Sequence, residues 1–447
     1  MCERARDPDS RATTVVLRLV LAIAAIAVAA GCGKKRAIEQ PREIVWDGQV
    51  ADPLAAFPDS ADGAAGRAGD ASLLAGADAL LYLAWTTSAG DSTDAWLSRS
   101  ADLGERLGAP VKINDAAGRV VIGEDGQERP SIAFGPGEEI VALWTDRRAG
   151  GADFDVRASR SVDGGASFLP SVRVDDGPDS TAQALASLFV EESGRPWAVW
   201  LDTRDGTPED PYLSRVRVTC SPDGGRTFLP SVDATASQAH GVCPCCRPAV
   251  AARGNDAIVL FRNEAEGVRD IAFARSRDGG ATFEPALPLA DDGWRIDYCP
   301  TDGPAVVFLP DGRWAAAWST GAGGKRAVRL IEASLADTSF AAPAGFTAAL
   351  EGAEQMHPAL TVRGDFVALA WEETAGDARR LAFAVSRDAG RTFSAPSAVE
   401  PPDAAGLGPR ASLAGRRHLV FAWSDAEGGV RLTRARLAAD VTQKGAP

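Results

Sequence analysis

The sequence predicts an all-β chain built from seven repeats of a four-stranded antiparallel unit, and three observations carry that prediction. An octapeptide recurs as Ser161-Val-Asp-Gly-Gly-Ala-Ser-Phe168, Ser221-Pro-Asp-Gly-Gly-Arg-Thr-Phe228, Ser276-Arg-Asp-Gly-Gly-Ala-Thr-Phe283 and Ser386-Arg-Asp-Ala-Gly-Arg-Thr-Phe393, with weaker copies starting at Ser100 and near Ser334. In phase with it runs an apolar strand ending in an aromatic at Trp85, Trp144, Trp200, Phe261, Trp318, Trp371 and Trp423, at intervals of 52 to 61 residues. Most units open on a short strand beside a proline, as in Pro130-Ser-Ile-Ala, Pro248-Ala-Val-Ala, Pro304-Ala-Val-Val, Pro358-Ala-Leu-Thr and Pro409-Arg-Ala-Ser. Four strands at this period make the blade of a β-propeller.

Each element has a physical reason. In the octapeptide, Ser and Asp oxygens bond the backbone of a tight turn, the glycines supply positive φ, and the final aromatic plugs an apolar seam. Asp163, Asp223, Asp278 and Asp388 are therefore expected to be structural. The seventh unit stops after three strands near Ala438, while an apolar stretch, Glu43 to Val50, precedes the first. A strand near Val45 could complete the last blade and remove its open edge. Seven blades are preferred on that ground. Six would leave one eroded unit, around Trp318 or Trp423, outside the ring. Residues 51 to 70, rich in Ala, Gly and Asp, read as a surface connection, and helix-period segments are absent. The propeller is placed at residues 43–441, with a tail at 442–447.

The first 32 residues read as an address. Arg4, Arg6, Arg11 and Arg18 precede an apolar run, Leu19 to Ala30, too short for a stable bilayer span, and Ala29-Ala30-Gly31-Cys32 closes it. The pattern resembles the bacterial lipobox. The resemblance implies removal of residues 1–31, lipidation of Cys32, a tether over 32–42, and a membrane partner in the cell envelope. Gly33 after the cysteine leans toward the outer membrane or periplasmic side. The mature chain would carry a formal charge of about −15, which makes nucleic acid and anionic lipid poor partners. A glycan or protein ligand stays open.

Strand direction alternates within a blade, so the octapeptide turns share one face, and the loops leading into the innermost strands gather on the other, at the mouth of the central channel. Ligands belong there. The loops hold His240-Gly-Val-Cys243-Pro-Cys245-Cys246-Arg247 before Pro248, Asp297-Tyr298-Cys299 before Pro304, and Gln355-Met356-His357 before Pro358. Cys243, Cys245, Cys246, Cys299, Met356, His357 and His240 are thus candidates for one site. A disulfide from Cys246 or Cys243 to Cys299 would staple neighbouring blades, whereas soft sulfur and imidazole ligands suit Cu(I) or Zn(II). The loops after the aromatic-ended strands add Asp146, Arg147, Arg148, Asp202, Arg204, Arg262, Asn263, Glu264, Glu372, Glu373 and Asp425, fit either for an acidic ligand or for ordinary ion pairs.

The octapeptide resembles the Asp box of the sialidases and their noncatalytic relatives, and the resemblance covers nearly the whole mature chain. It implies three arginines gripping a substrate carboxylate, an Asp acid near the chain start, and a Tyr nucleophile activated by a Glu. Tyr298 is the tyrosine placed at the pore, Arg129, Arg247 and Arg410 border innermost strands, and Glu264 is a candidate base. The Arg-Ile-Pro motif that normally carries the family's first arginine is missing. Two classes remain: a noncatalytic binding or metal- and redox-handling lipoprotein, and a sialidase-like glycoside hydrolase.

Overall fold

A computed structural model describes residues 44–49, 67–76, 79–123, 126–149, 153–399, 406–414, 417–425 and 429–437. The leader, Cys32, the tether and the tail at 442–447 lie outside the described residues.

Among these residues the strands form seven four-stranded antiparallel sheets and no helix. Six blades run in simple chain order. Their innermost strands are Arg67–Ala75, Ser131–Phe134, Gln183–Val190, Ala249–Arg253, Ala305–Phe308 and Glu354–Arg363. The seventh is built differently: Gly406–Ala414, His418–Asp425 and Val430–Leu437 take their fourth, outer strand from Ile44–Gln49, with Val45 opposite Arg436. The two ends of the chain thus share one sheet, which hides the edge that a three-stranded final blade would leave open. That rules out the six-bladed alternative. Residues 67–70, expected to belong to the connection over 51 to 70, are instead part of the first innermost strand, where Arg67 to Gly69 pair with Ser88 to Thr86.

The aromatic that ends each second strand lies in a seam between its own blade and the preceding one. Trp144 packs with Tyr82, Ala84 and Leu97, Trp200 with Leu143 and Val156, and Trp371 with Ala317, Val328 and Leu330. Trp85 packs against Val420, Ala422 and Leu432 of the last blade and so closes the ring. Truncating such a buried aromatic costs ~3–5 kcal/mol, against ~0–1 for an exposed ion pair. Apolar seams therefore hold the blades together.

The octapeptide turns follow one hydrogen-bond scheme. In the turn at Ser161, the Ser161 hydroxyl donates to Asp163 Oδ1 at 2.8 Å and accepts the Gly165 N–H at 2.7 Å, while Asp163 accepts the Ser167 N–H at 2.9 Å and its hydroxyl at 2.6 Å. Asp223, Asp278 and Asp388 accept the equivalent bonds from Thr227, Thr282 and Thr392. Gly165, Gly225, Gly280 and Gly390 take φ near +90°, open to glycine alone at little cost. The antiparallel order puts these turns on the face opposite the lead-in loops.

On that other face the innermost strands of four blades carry a register break, at Gly69/Ser72, Ala184/Ser187, Met356/Ala359 and Leu407/Arg410. Asp70, Leu185, His357 and Gly408 take left-handed backbone within the breaks. Neighbouring blades brace two of these positions, Leu185 and His357. Glu128, Cys246 and Asp302 each stand two residues before the proline that opens their strand, and each accepts a backbone N–H from the following blade, from Leu185, Asp302 and His357 in turn. Backbone groups that a bulge removes from the ladder are satisfied in this way.

Candidate functional site at the channel mouth

The innermost strands surround a central cavity of about 340 Å³, at the lower end of the ~300–1,000 Å³ usual for small-molecule sites. Arg129, Arg247 and Arg410 all line it, with Ser72, Ser187 and Ser412. Each reaches it because it sits next to the proline at the head of its strand.

Arg247 is held hard. Its Nε donates to Ser187 Oγ at 2.8 Å, and its Nη2 donates to Ser131 Oγ at 2.7 Å and to the Ala186 carbonyl. Yet Arg247 Nη1 and Arg410 Nε are buried with no hydrogen-bond partner among the described residues. Burial, and then the charges of Arg247 and Arg410, press Arg129 well below its ordinary value; burial pushes Arg247 down to about 10 and Arg410 down to about 9. Three guanidinium groups crowded in one cavity with spare buried donors have the chemistry to accept an anion.

Two buried carboxyls stand beside the trio, Asp70 and Glu128. Burial raises Asp70 to about 7, against the opposing charge of Arg129. Burial also raises Glu128, which accepts from Thr145 Oγ1 at 2.8 Å. Sequence reasoning missed both. Asp70 was hidden in the low-complexity stretch assigned to a connection, while Glu128 had a usable signal, its place two residues before a strand-opening proline.

The cysteines meet as the topology required, on the lead-in loops of the fourth and fifth blades. Cys245 and Cys299 form a disulfide, with Cα atoms 6.1 Å apart, so neither Cys243 nor Cys246 is the partner of Cys299. Cys243 and Cys246 are buried free thiols. Cys243 Sγ lies 3.5 Å from both Cys245 Sγ and Cys246 Sγ. The sulfurs of Cys243, Cys245 and Cys299 all lie within 4.8 Å of one another, a spacing that would suit a soft metal only with the disulfide reduced. The hydrogen bond between Cys243 and Cys246 lowers the Cys243 thiol pKa against its burial, with Arg269 and Arg262 adding positive charge.

Met356 and His357 are engaged elsewhere. Met356 Sδ accepts from Arg326 Nη1 at 3.4 Å. The His357 ring is bonded at both nitrogens, Nδ1 to Glu372 Oε2 at 2.9 Å and Nε2 to the Thr301 carbonyl at 3.1 Å. Both partners are hydrogen-bond acceptors that favour a proton on each ring nitrogen, so neither nitrogen is left free for a metal. Its pKa is raised because these bonds and the Asp302 and Glu372 charges outweigh burial. His240 Nδ1 faces the Gly241 carbonyl at 3.0 Å. The expected sharing of a ligand by Cys, Met and His side chains therefore reduces to the cysteines.

Tyr298 is half exposed, its ring 5.9 Å from the Arg326 guanidinium, and Glu264 pairs with Arg269 at 2.7 Å. Neither lines the cavity. Much of the remaining charge on this face is internal bonding. Asp146 pairs with Arg119 at 2.7 Å, Asp202 accepts from Trp200 Nε1 and Arg204, Glu373 accepts from Trp371 Nε1, and Arg262 donates to the carbonyls of Asp302, Arg269 and Ser319.

No protein-family model matches the chain, and no curated protein matches it. Solved structures do, at low identity. An ulvan lyase from a new polysaccharide lyase family, bound to -[GlcA(1-4)Rha3S]-, superposes with a TM-score of 0.52 at 11% identity, covering 87% of this chain and 95% of that one. A protein of unknown function from Dyadobacter fermentans superposes at 0.50 with 15% identity, covering 77% and 98%. A Hadza microbial sialidase is similar at 0.45 with 14% identity, covering 80% and 76%. The likeness is one of fold: the chain shares a propeller with the ulvan lyase.

Proposed function

We propose that this chain is an exported, lipid-anchored propeller of the bacterial cell envelope that binds an acidic glycan through Arg129, Arg247 and Arg410. The observation that carries the reading is the pair of unpartnered buried donors, Arg247 Nη1 and Arg410 Nε, in a cavity lined by three arginines. A carboxylate or sulfate would satisfy those donors and offset the mutual repulsion, and a neutral sugar would not. The uronate- and sulfate-bearing ligand of the ulvan lyase shows that the same fold carries acidic sugars elsewhere. Export and anchoring at Cys32 rest on the lipobox resemblance. Calorimetric titration of the mature chain with a uronate-containing oligosaccharide and its neutral counterpart tests the reading. The acidic sugar should bind and Arg410→Ala should weaken it; equal binding of both sugars, or of neither, would overturn it.

The second reading is a sialidase-like hydrolase, favoured by the convergence of the three arginines matched to the family's carboxylate grip. It predicts release of the fluorophore from a fluorogenic sialoside, with Tyr298 as nucleophile and Glu264 as its base. The placing of both residues outside the cavity weighs against it.

A further inference from the structure

The four cysteines at the channel mouth are bonded unequally. A disulfide that only staples two loops requires no other sulfur nearby, and a buried packing thiol requires no disulfide. Cys220 shows the second case, buried on the far side of its blade with its Sγ directed at the Gly279 carbonyl. Cys243 differs from both. Its sulfur stands 3.5 Å from a sulfur of the disulfide and 3.5 Å from a second free thiol. The spacing Cys243-Pro-Cys245-Cys246 superimposes a Cys-x-Cys and a Cys-x-x-Cys pair on the same first residue. Cys243 can therefore bond either neighbour by a short local shift.

The surroundings favour exchange. Arg262 and Arg269 act on the Cys243 sulfur, and Arg269 Nε and Nη1 are buried without a hydrogen-bond partner among the described residues. Positive charge beside a thiol stabilises the thiolate, the form that attacks disulfides. Cys246 is buried, Cys245 half-buried and Cys299 exposed, so exposure rises from the free thiols to the disulfide.

We propose that Cys243, Cys245, Cys246 and Cys299 form a thiol–disulfide relay that moves one disulfide between the exposed Cys245–Cys299 pair and the buried Cys243–Cys246 pair. In the first step the Cys243 thiolate attacks Cys245 Sγ. The Cys243–Cys245 bond forms, the Cys245–Cys299 bond breaks, and the electron pair leaves on Cys299 Sγ, which takes up a proton equivalent to the one Cys243 gave up. In the second step the Cys246 thiolate attacks Cys243 Sγ, and the electron pair of the broken Cys243–Cys245 bond stays on Cys245, which is protonated in turn. The net change is an isomerisation: one disulfide and two thiols before, the same after, with no electron gained or lost. Its consequence is that the surface presents a Cys245/Cys299 dithiol in place of a disulfide. That dithiol can reduce an external disulfide, re-forming Cys245–Cys299 and releasing two external thiols. The relay uses none of the arginines assigned to the anion, so its test is independent of the glycan reading.

The test is disulfide mapping of the mature chain, isolated from an oxidising compartment, alkylated in acid and digested, combined with its reaction with the aromatic disulfide dithionitrobenzoate. Wild-type protein should yield both Cys245–Cys299 and Cys243–Cys246 peptides. Cys246→Ser should accumulate the Cys243–Cys245 link with Cys299 free. Cys243→Ala should hold only Cys245–Cys299 and slow the reaction with the reagent about ten-fold or more. The wild-type map alone decides if a variant fails to fold. A map with Cys245–Cys299 as the only link, and equal reactivity in wild type and Cys243→Ala, overturns the relay. So does protein with all four cysteines reduced around a stoichiometric copper or zinc ion.

Discussion

Gly303 lies flat against the backbone of Arg247, so close that a Cβ at position 303 would strike the Arg247 carbonyl oxygen. The two residues lead into adjacent innermost strands. Backbone cannot yield as a flexible side chain can. Gly303→Ala should therefore shift Arg247, lower stability by about 1–3 kcal/mol, and weaken the acidic oligosaccharide more than the fold. Urea denaturation and calorimetry on the same preparation give the two numbers. Unchanged binding would show that Arg247 does not depend on this contact.

Asp70 links anion binding to pH. Its carboxyl titrates at about 7 because burial outweighs the charge of Arg129. Above that value it is ionised and competes with a ligand anion for the arginines; below it the carboxyl is neutral. Affinity should therefore rise as pH falls from about 8 to about 6, by roughly five-fold, equivalent to ~1 kcal/mol. Asp70→Asn should bind at the low-pH strength throughout and flatten the profile. A profile unchanged by that substitution would assign the titration to another group.

The octapeptide turns should matter for stability alone. Asp388 accepts from Ser386 Oγ and from the Thr392 N–H and hydroxyl, on the face away from the arginines. Asp388→Ala should cost about 1 kcal/mol and leave the calorimetric affinity unchanged. These bonds lower the Asp388 pKa against its burial, so the ionised turn stabilises the fold above the ordinary carboxyl range and the contribution is lost as pH falls through the lowered value. The difference between wild type and Asp388→Ala in thermal melts should narrow in acid.

Ring closure rests on the pairing of Val45 with Arg436. Val45→Pro removes a backbone N–H from an outer strand, where the partner strand is left with an open edge. The expected loss is about 1–3 kcal/mol, seen in thermal melts, together with earlier proteolysis in the last blade. A melt identical to wild type would mean that the three strands near the C-terminus hold the seam unaided.

The sequence by itself determined the blade, preferred seven of them to six, and pointed to closure by a strand near Val45. Those rest on short-range rules repeated along the chain: Ser and Asp spaced to bond one turn, glycines where φ must be positive, and an aromatic at the end of every second strand to fill the seam with the preceding blade. The same repetition made legible which loops share the channel mouth, because strand direction alternates, and so placed the cysteines and the three arginines at one end. Only the tertiary structure decided how those groups divide their bonds. Cys299 joins Cys245 although three cysteines were available, His357 spends both nitrogens on Glu372 and Thr301, and Asp70 comes within the charge of Arg129 from a stretch whose composition resembled a linker. Partner choice among groups a few ångströms apart depends on the bulges and cross-blade backbone bonds that orient each one. Those arise between segments about fifty residues apart, a distance over which a local pattern carries no information.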